Sequence, residues 1–317
     1  MEIVVCTDRN YIMPCGILFY SLCKNNKSCT IVFHVVIDAS VTDEDKSSLT
    51  SIAGQFNQQI EFHLIDSHLF DTFPNLGPNV YVSKATYYRL YLTEILPSTI
   101  DKILYLDCDM VIRKDLNDLW NKDIANYAVG VSADGWESKI QIFNRLEYPY
   151  EKGYFNAGML LINLKYWREH NVLGRCLNFI KNHFDRIVSH DQDVLNFVLQ
   201  DEKVPVGITY NFLENFLYKK NLALFDYSKY KDEIDKAKND PAIIHYVASK
   251  PWMTNCTNPY KDVYLKYKKE TQWKDMPIQS PKKTIRSRIK KLFQLLGIMG
   301  VEINMIDEKT VSELKIR

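Results

Sequence analysis

Short apolar runs alternate with longer segments of mixed character through the first part of the chain. The apolar runs predict strands at 3–6, 30–37 and 60–65. Helices are predicted between them at 14–24 and 42–56, the second opened by Thr42 with an acid three residues on, which is the pattern of a helix cap. This β-α-β-α-β order predicts an α/β fold with a parallel sheet and right-handed crossovers.

The pattern becomes less regular after residue 70. Residues 71–82 contain two prolines and a glycine and predict a loop. Beyond it, helices are predicted at 84–95, 166–183 and 190–199. Strands are predicted from residue 102, at 127–132, within 153–164 after a turn, and at 242–245.

Two carboxylates stand near the end of the strand that begins at Lys102. Asp107 and Asp109 are one residue apart, and alternate side chains of a strand share a face, so both are predicted to point the same way. Adjacent carboxylates repel unless a cation lies between them, and Mg²⁺ and Mn²⁺ suit such oxygen ligands. In open α/β sheets, ligands bind at the carboxyl ends of strands, so this pair predicts a site for a metal and a diphosphate.

Composition places few further limits on the function. The 317 residues are 46% hydrophobic and 25% charged, which is typical of a globular protein with a sizeable core, and the net charge of +1 gives no reason to expect nucleic acid as a partner. The seven cysteines form no Cys-x-x-Cys pair and are odd in number, which favours a reducing compartment over a disulfide scaffold. With no leader pattern and no apolar run long enough to span a bilayer, we expect a cytoplasmic protein.

The last residues differ from the rest of the chain. Residues 280–317 hold nine Lys or Arg and four Asp or Glu, and six of the nine basic residues lie within Lys282–Lys291 without an acid. A helix opened by Pro281 would gather its apolar residues on one face, which is the pattern of a helix that lies on an anionic membrane surface. The same pattern also fits a helix docked on the protein itself, or a disordered end. We therefore predict a domain at 1–279 and a basic amphipathic tail at 280–317, a small helical extension that would make the protein peripheral at the inner membrane.

Five segments together resemble a known enzyme family. They are Cys-Thr-Asp-Arg-Asn at 6–10, Asp-Cys-Asp at 107–109, Tyr-Phe-Asn-Ala-Gly-Met-Leu-Leu-Ile-Asn-Leu at 154–164, His-Asp-Gln-Asp at 190–193, and His245 ahead of Lys-Pro-Trp at 250–252. In this order they resemble the retaining glycosyltransferases of family 8, especially the bacterial lipopolysaccharide α-galactosyl- and glucosyltransferases, with glycogenin a more distant relative. The resemblance covers about residues 1–275. It implies one Rossmann-like, nucleotide-sugar-binding domain of glycosyltransferase A type, with a mostly parallel mixed sheet.

The resemblance also implies a role for each matching residue. Asp107, Asp109 and His245 would hold Mn²⁺ (or Mg²⁺), which grips the diphosphate of a UDP-hexose donor. Lys250 would contact a phosphate, and the uridine and ribose would lie against Cys6, Thr7, Asp8, Asn10 and Cys108. The donor hexose would be surrounded by Arg89, Asn156, Gly158, Asp191 and Gln192, and Asp134 would begin the site of a saccharide or glycolipid acceptor.

The implied reaction moves a galactose or glucose from UDP to a saccharide with retention of configuration, in the synthesis of lipopolysaccharide or another surface glycan. Asp191, Gln192 and Asn156 are the predicted catalytic residues. Retention requires either a covalent intermediate on Asp191 or Gln192, or attack by the acceptor on the face that UDP leaves. We favour same-face attack, because an amide is a poor nucleophile.

One departure from the family's pattern concerns the loop after His245. Lys250 follows His245 by five positions, one fewer than in the family, and Ala248 stands near the expected glycine. The shorter loop is expected to change the position of Lys250 relative to the phosphate.

Two other classes of protein fit parts of the sequence. An apolar strand followed by Asp107 and Asp109 also fits the nucleophile motif of haloacid dehalogenase-like phosphatases, but that motif normally lies near the start of its domain. A non-catalytic sugar-nucleotide-binding or scaffold protein with a degenerate site is the other alternative, and the intact candidate metal ligands argue against it.

Overall fold

The computed structural model describes residues 1–74, 84–136, 138–218 and 227–280. Its strands are β1 (Glu2–Thr7), β2 (Val32–Ile37), β3 (Gln59–Leu64), β4 (Lys102–Leu106), β5 (Met110–Ile112), β6 (Val129–Ala133), β7 (Phe155–Asn163), β8 (Lys203–Pro205), β9 (Phe212–Leu213) and β10 (Ile243–His245). Its α-helices are α1 (Ile12–Asn25), α2 (Asp43–Gln55), α3 (Leu92–Ile95), α4 (Asn117–Trp120), α5 (Ile140–Leu146), α6 (Leu164–Glu169), α7 (Val172–Asn182), α8 (His190–Val198), α9 (Tyr227–Ala237) and α10 (Lys261–Lys269).

Seven strands form the main sheet, in the order β3-β2-β1-β4-β7-β6-β8. Four of its neighbouring pairs are parallel, and β7 runs antiparallel to both β4 and β6. The predicted α/β fold with a mostly parallel mixed sheet is therefore confirmed. A second sheet of three strands, in the order β5-β10-β9, was not predicted.

Apolar side chains on the two faces of the main sheet enter two different cores. Val4 and Val36 pack on one face with the segment around Tyr88, whereas Val5 and Val35 pack on the other with α1 and α2. The predicted cap of α2 is present: Thr42 accepts a hydrogen bond from Asp45 N–H, and the Asp45 carboxylate accepts one from the Thr42 backbone. The predicted positions of the first three strands and two helices are correct to within two residues.

Three predicted elements differ from the structure. The predicted helix at 84–95 is a 3₁₀ helix over Lys84–Tyr91, and only its end, α3, is α-helical. The predicted helix at 166–183 is two helices, because Asn171 adopts a left-handed conformation with φ of 47° and its side chain caps α7 at Gly174 N–H. The strand that begins at Lys102 ends at Leu106, and a turn separates it from β5.

The end of the described chain returns to the domain. A Cβ atom on Gly16 of α1 would lie 2.1 Å from the Trp273 ring, so this ring packs directly on the α1 backbone. Gln279 exchanges backbone hydrogen bonds with Trp252 and Thr254, at 2.8 Å each. The predicted boundary after residue 279 and the predicted amphipathic tail remain predictions, since residues 281–317 lie outside the described ranges. Within those ranges, no helix combines the length and apolar character needed to cross a bilayer.

Candidate active site

The turn between β4 and β5 carries the two predicted metal-binding carboxylates. Asp107 N–H donates to the carbonyl of Gly158 on β7 at 2.8 Å, and the Asp109 carbonyl accepts a 2.9 Å hydrogen bond from Tyr246 N–H. The side chains therefore converge because a turn is fixed from both sheets. The two carboxylates do point to one place, as expected, but the cause is this turn and not the alternation of side chains along a strand, because β4 ends before Asp107.

The second sheet brings His245 to this turn. His245 on β10 pairs with Met110 on β5, directly after Asp109. Its Nε2 lies 3.1 Å from Asp109 Oδ1 and 3.8 Å from Asp107 Oδ2. Two carboxylate oxygens and one imidazole nitrogen, all within 4.8 Å of one another, form a donor set that suits a divalent cation.

Gly158 leaves the space that this cluster needs. A Cβ atom at Gly158 would lie 2.3 Å from His245 Cε1 and 2.8 Å from Asp107 Oδ2. Both distances are far below van der Waals contact. The glycine on β7 therefore allows His245 and Asp107 to approach each other, which is a different use from the sugar contact implied by the sequence.

Asn211 orients the histidine and was missed by the sequence analysis. This fully buried residue precedes β9, and its Oδ1 lies 2.9 Å from His245 Nδ1. A hydrogen bond from Nδ1–H to this amide oxygen fixes the orientation of the ring, so that Nε2 faces the two carboxylates. No local motif marks Asn211, because its role depends on the pairing of β9 with β10.

Lys250 lies at the same carboxylates. Its ammonium group donates to Asp109 Oδ2 and also to the Tyr246 carbonyl at 2.7 Å. Burial raises the pKa of Asp109, but Lys250 and His245 outweigh burial and hold that pKa well below its usual range. The Asp109 carboxylate therefore stays ionised and able to bind a cation.

Arg89 links the metal-binding cluster to α8. Its guanidinium is buried, stacks over the Tyr105 ring at 4.3 Å and donates through Nη2 to Asp107 Oδ1 at 2.8 Å. Nη1 donates to the Ala157 carbonyl and Nε to the Thr86 carbonyl. Through one hydrogen bond from each of its three nitrogens, Arg89 holds the Asp107 carboxylate in place.

Asp191, at the start of α8, presents a buried acceptor without a hydrogen-bond donor. Thr86 donates to its Oδ1. Its Oδ2 lies 3.0 Å from Arg89 Nε, but that N–H is directed at Thr86, so Oδ2 has an ion-pair contact and no hydrogen bond. Burial raises the pKa of Asp191 to about 6, although Arg89 and Thr86 oppose the rise. Such a carboxylate oxygen is available to a ligand hydroxyl.

An amide network connects α8 to β7 and to Asp134. Gln192 Oε1 accepts from Ala157 N–H at 3.0 Å and from Asn156 Nδ2 at 3.2 Å. Asp134 Oδ2 accepts from Asn156 at 2.9 Å and from Gln192 Nε2 at 3.3 Å, and burial raises the pKa of Asp134. Asn156 Oδ1 accepts from Asn211, so this network continues to the histidine.

Asp193 belongs to the same sequence motif as Asp191 but is fully engaged in holding the fold. It is completely buried. Its carboxylate accepts hydrogen bonds from Nη1 and Nη2 of Arg145, at 2.7 and 3.1 Å, and from the Tyr154 hydroxyl at 2.7 Å. It also caps the start of α8 through the backbone N–H groups of Val188 and Ser189. The structure thus separates Asp191, whose Oδ2 accepts no hydrogen bond from the described residues, from Asp193, whose two oxygens are both engaged, two residues away.

The predicted nucleoside-binding residues lie at the ends of β1 and β4. Asp8 Oδ1 accepts from Asn10 N–H at 2.8 Å, which closes a tight turn directly after β1, and the Thr7 hydroxyl donates to the Asp8 carbonyl. Cys108 Sγ contacts the Cys6 carbonyl at 3.5 Å, which joins this turn to the Asp107–Asp109 turn. Both turns therefore meet at one edge of the sheet.

A comparison with protein families finds one match to most of this chain. The family described as glycosyl transferase family 8 matches residues 2–256. That range contains every site residue named from the sequence.

Individual proteins resemble the chain over most of its length. The general stress protein A of Bacillus subtilis (strain 168) is 30% identical over 278 residues, which is 86% of this chain and 94% of that protein. The lipopolysaccharide glucosyltransferase WaaO of Escherichia coli (strain K12) is 27% identical, covering 89% of this chain and 81% of that protein. The crystal structure of the galactosyltransferase LgtC in complex with donor and acceptor sugar analogues superposes with a TM-score of 0.77 at 27% identity, over 86% of this chain and 96% of that one.

Proposed function

The chain belongs to glycosyl transferase family 8, and from that premise we propose that it transfers galactose or glucose from UDP to a saccharide acceptor in the synthesis of lipopolysaccharide or another surface glycan. The observation that carries the proposal is the convergence of Asp107, Asp109 and His245 at the carboxyl end of β4. It is a cation site at the sheet edge where α/β folds bind nucleotides. The glycosyltransferase class itself follows from the family, which removes the phosphatase alternative.

We assign Mn²⁺ as the preferred ion. The donor set fits: two carboxylates favour a hard ion, and the imidazole shifts the preference from Mg²⁺ toward Mn²⁺. The distances of 3.1 and 3.8 Å from His245 Nε2 to the carboxylate oxygens leave room for one ion among them. When bound, the ion would offset the negative charge that develops on the departing UDP.

Lys250 would provide a second positive charge beside the diphosphate. Its ammonium group donates to Asp109, one of the three ligands, so a phosphate held at the metal would lie within reach of Lys250 despite the shortened loop. Because the lysine side chain is flexible, its ammonium group can leave a carboxylate oxygen and bind a phosphate oxygen after a small movement. Lys250 would then stabilise the leaving group together with the ion.

The donor hexose would meet Asp191. The Oδ2 atom of Asp191 is buried and accepts no hydrogen bond in the described part of the chain, and sugar hydroxyl groups are donors that would satisfy it. A charged carboxylate near the anomeric carbon would also stabilise positive charge at that centre as UDP leaves. Arg89 would position Asp107 and Asp191 relative to each other rather than bind the sugar itself.

The contacts of Gln192 favour same-face attack as the route to retention. Its Oε1 already accepts two hydrogen bonds, from Ala157 N–H and Asn156 Nδ2, and these reduce the electron density available for attack on carbon. The same bonds hold Gln192 and Asn156 rigidly beside Asp134. We therefore assign Gln192 and Asn156 to positioning the sugar and Asp134 to the acceptor side.

The nucleoside would occupy the edge formed by the ends of β1 and β4. The turn closed by Asp8 and Asn10 leaves a second carboxylate oxygen on Asp8 for the base or ribose, next to Thr7 and Cys6. Cys108 contributes mainly through its backbone, because its thiol faces the Cys6 carbonyl. The proposed catalytic unit is residues 1–279, and contact of the tail with an anionic membrane surface remains part of the proposal.

Calorimetric titration of UDP tests the donor half of this proposal. We expect micromolar binding with Mn²⁺ and its loss in EDTA, and loss of the Mn²⁺-dependent binding in Asp109→Ala. Asp185→Ala is the matched control, since Asp185 is an exposed carboxylate that does not belong to the Asp107–Asp109–His245 cluster. Binding that is unchanged by EDTA would contradict the metal assignment, and no binding in either condition would contradict the nucleotide-sugar function.

Turnover then identifies the donor. Hydrolysis or transfer is measured with UDP-galactose and UDP-glucose in the presence of lipopolysaccharide core saccharides. We expect one hexose to be favoured and the product linkage to be α. A β-linked product would contradict retention, and turnover of neither donor would contradict the proposed substrates.

A further inference from the structure

A second cluster of metal-ligating side chains lies on one face of the main sheet, at its β3 edge. His34 of β2 pairs with Glu61 of β3 and with Val4 of β1, and His63 lies two residues beyond Glu61. Because alternate residues of a strand share a face, Glu2, His34, Glu61 and His63 all project from the same face. The cluster shares no residue with the Asp107–Asp109–His245 site, and Glu2 begins β1 at the end opposite to the catalytic edge.

Three of these side chains converge on one point. His34 Nδ1 lies 3.0 Å from His63 Nε2 and 3.5 Å from Glu61 Oε2, and His63 Nε2 lies 3.9 Å from Glu61 Oε2. A tetrahedral Zn²⁺ with bonds of about 2.0–2.1 Å separates its ligand atoms by about 3.3 Å. The observed triangle brackets that spacing, so movements of a few tenths of an ångström would complete a coordination sphere.

Glu2 fixes which nitrogen of His34 can bind a metal ion. Its carboxylate lies 2.8 Å from His34 Nε2, and since a carboxylate only accepts, Nε2 carries the proton. In the neutral ring the lone pair is then on Nδ1, the atom that faces His63 and Glu61. A ligating histidine whose other nitrogen donates to a carboxylate is the usual arrangement in protein zinc sites.

The cluster is open to solvent on one side. The His34 side chain is only 2% exposed, whereas Glu61 is 53% exposed, so an ion can enter from solvent past Glu61.

We propose that His34, His63 and Glu61 form a second metal site, for Zn²⁺, with water in the fourth position. Two imidazoles and one carboxylate favour a borderline ion, in contrast to the oxygen-rich set at Asp107 and Asp109. The ion would join the edge strand β3 to β2, and through Glu2 to β1. Its role would be to stabilise the edge of the nucleotide-binding sheet rather than to take part in catalysis.

Zinc titration of the untagged full chain tests this proposal. The background is Asp109→Ala with His245→Ala, which removes two ligands of the first site. In this background we expect calorimetry to show one Zn²⁺ per chain, and a zinc-dependent rise in Tm of about 3–5 °C at 100-fold excess over Kd. Adding His63→Ala should abolish both effects.

Two further variants keep the test decisive. His68→Ala is the matched control, because His68 is an exposed histidine shortly after β3 and should retain both the zinc and the rise in Tm. Glu61→Ala, at a half-exposed position, should weaken zinc binding at least about 10-fold even if His63→Ala fails to fold. Absence of zinc binding in the background protein, or binding that survives both His63→Ala and Glu61→Ala, would overturn the proposal.

Discussion

A Cβ atom on Gly158 would lie 2.3 Å from Cε1 of His245, so the backbone of β7 and the imidazole occupy adjoining space with no room for a methyl group. Gly158 belongs to the main sheet and His245 to the second sheet. The metal-binding cluster therefore depends on how closely these two sheets approach. This makes Gly158 as necessary to the site as its ligands.

Gly158→Ala should disable the site while preserving the fold. The new methyl group must displace His245 or Asp107, so we expect Mn²⁺-dependent binding of UDP to fall about 10–100-fold, by analogy with the loss of groups that orient metal ligands. Calorimetry measures the binding, and far-UV circular dichroism checks the fold. Gly54→Ala in α2 is the control, since its Cβ would meet nothing within 4 Å, and binding should be unchanged. Equal UDP affinity in both variants would show that His245 is not held against β7.

Asn211→Ala should weaken metal binding without removing a metal ligand. Without the hydrogen bond to Nδ1, His245 can rotate and exchange tautomers, and loss of such a partner lowers metal affinity by about 10–100-fold. Competition of Mn²⁺ against a chelating dye measures the change. Asn182→Ala is a suitable control, because Asn182 is exposed and bonds only to Asn178 among the described side chains. An unchanged Mn²⁺ affinity in Asn211→Ala would contradict the positioning role.

The candidate ligands of the first site were easier to name from the sequence than their geometry. Asp107 and Asp109 follow an apolar run that predicts a buried strand, whereas His245 was named only through the resemblance to family 8. The structure brings these three side chains together. Gly158 and Asn211 have no such signal. Their roles depend on the contact between two sheets, one of which is made of strands only two or three residues long.

The two helix predictions that differ from the structure have local causes, which the hydrophobic periodicity of the sequence does not reveal. Residues 84–91 place apolar groups at spacings compatible with both 3.6 and 3.0 residues per turn, so the pattern cannot distinguish an α-helix from the observed 3₁₀ helix. The break between α6 and α7 depends on Asn171 in a left-handed conformation, which asparagine adopts more readily than most residues. A single asparagine within a helical pattern is too common to predict a break.

Removal of residues 281–317 should separate donor binding from membrane binding. Gln279 exchanges backbone hydrogen bonds with Trp252 and Thr254. Truncation after Ser280 therefore leaves these contacts intact. We expect unchanged UDP affinity and a loss of sedimentation with vesicles that contain anionic lipid. The full chain is the control, tested also at 0.5 M salt, where screening should release it. Equal vesicle binding by both forms would contradict the membrane prediction.

Asp191→Asn should abolish transfer yet stabilise the folded protein above pH 6. The folded chain holds the Asp191 proton up to a pKa of about 6, whereas an ordinary Asp releases it near 3.8, so between these values the folded state binds more protons than the unfolded state. The free energy of unfolding therefore falls as pH rises through this window, by up to about 3 kcal/mol in total. An amide cannot ionise and avoids that loss.

Urea unfolding in EDTA at pH 4, 5, 6 and 7.5 measures this difference. The two proteins should have similar stability at pH 4, where Asp191 is protonated in the folded state and still partly protonated in the unfolded state, so little of the loss has developed. The variant should be more stable by about 1–3 kcal/mol at pH 7.5. Asp193→Asn provides the opposite control, since it weakens the charge-assisted bonds from Arg145 and should destabilise the protein at pH 7.5. If Asp191→Asn is less stable than the parent at pH 7.5, then the attraction of Arg89 outweighs burial, and the pKa of Asp191 is not raised in the folded protein.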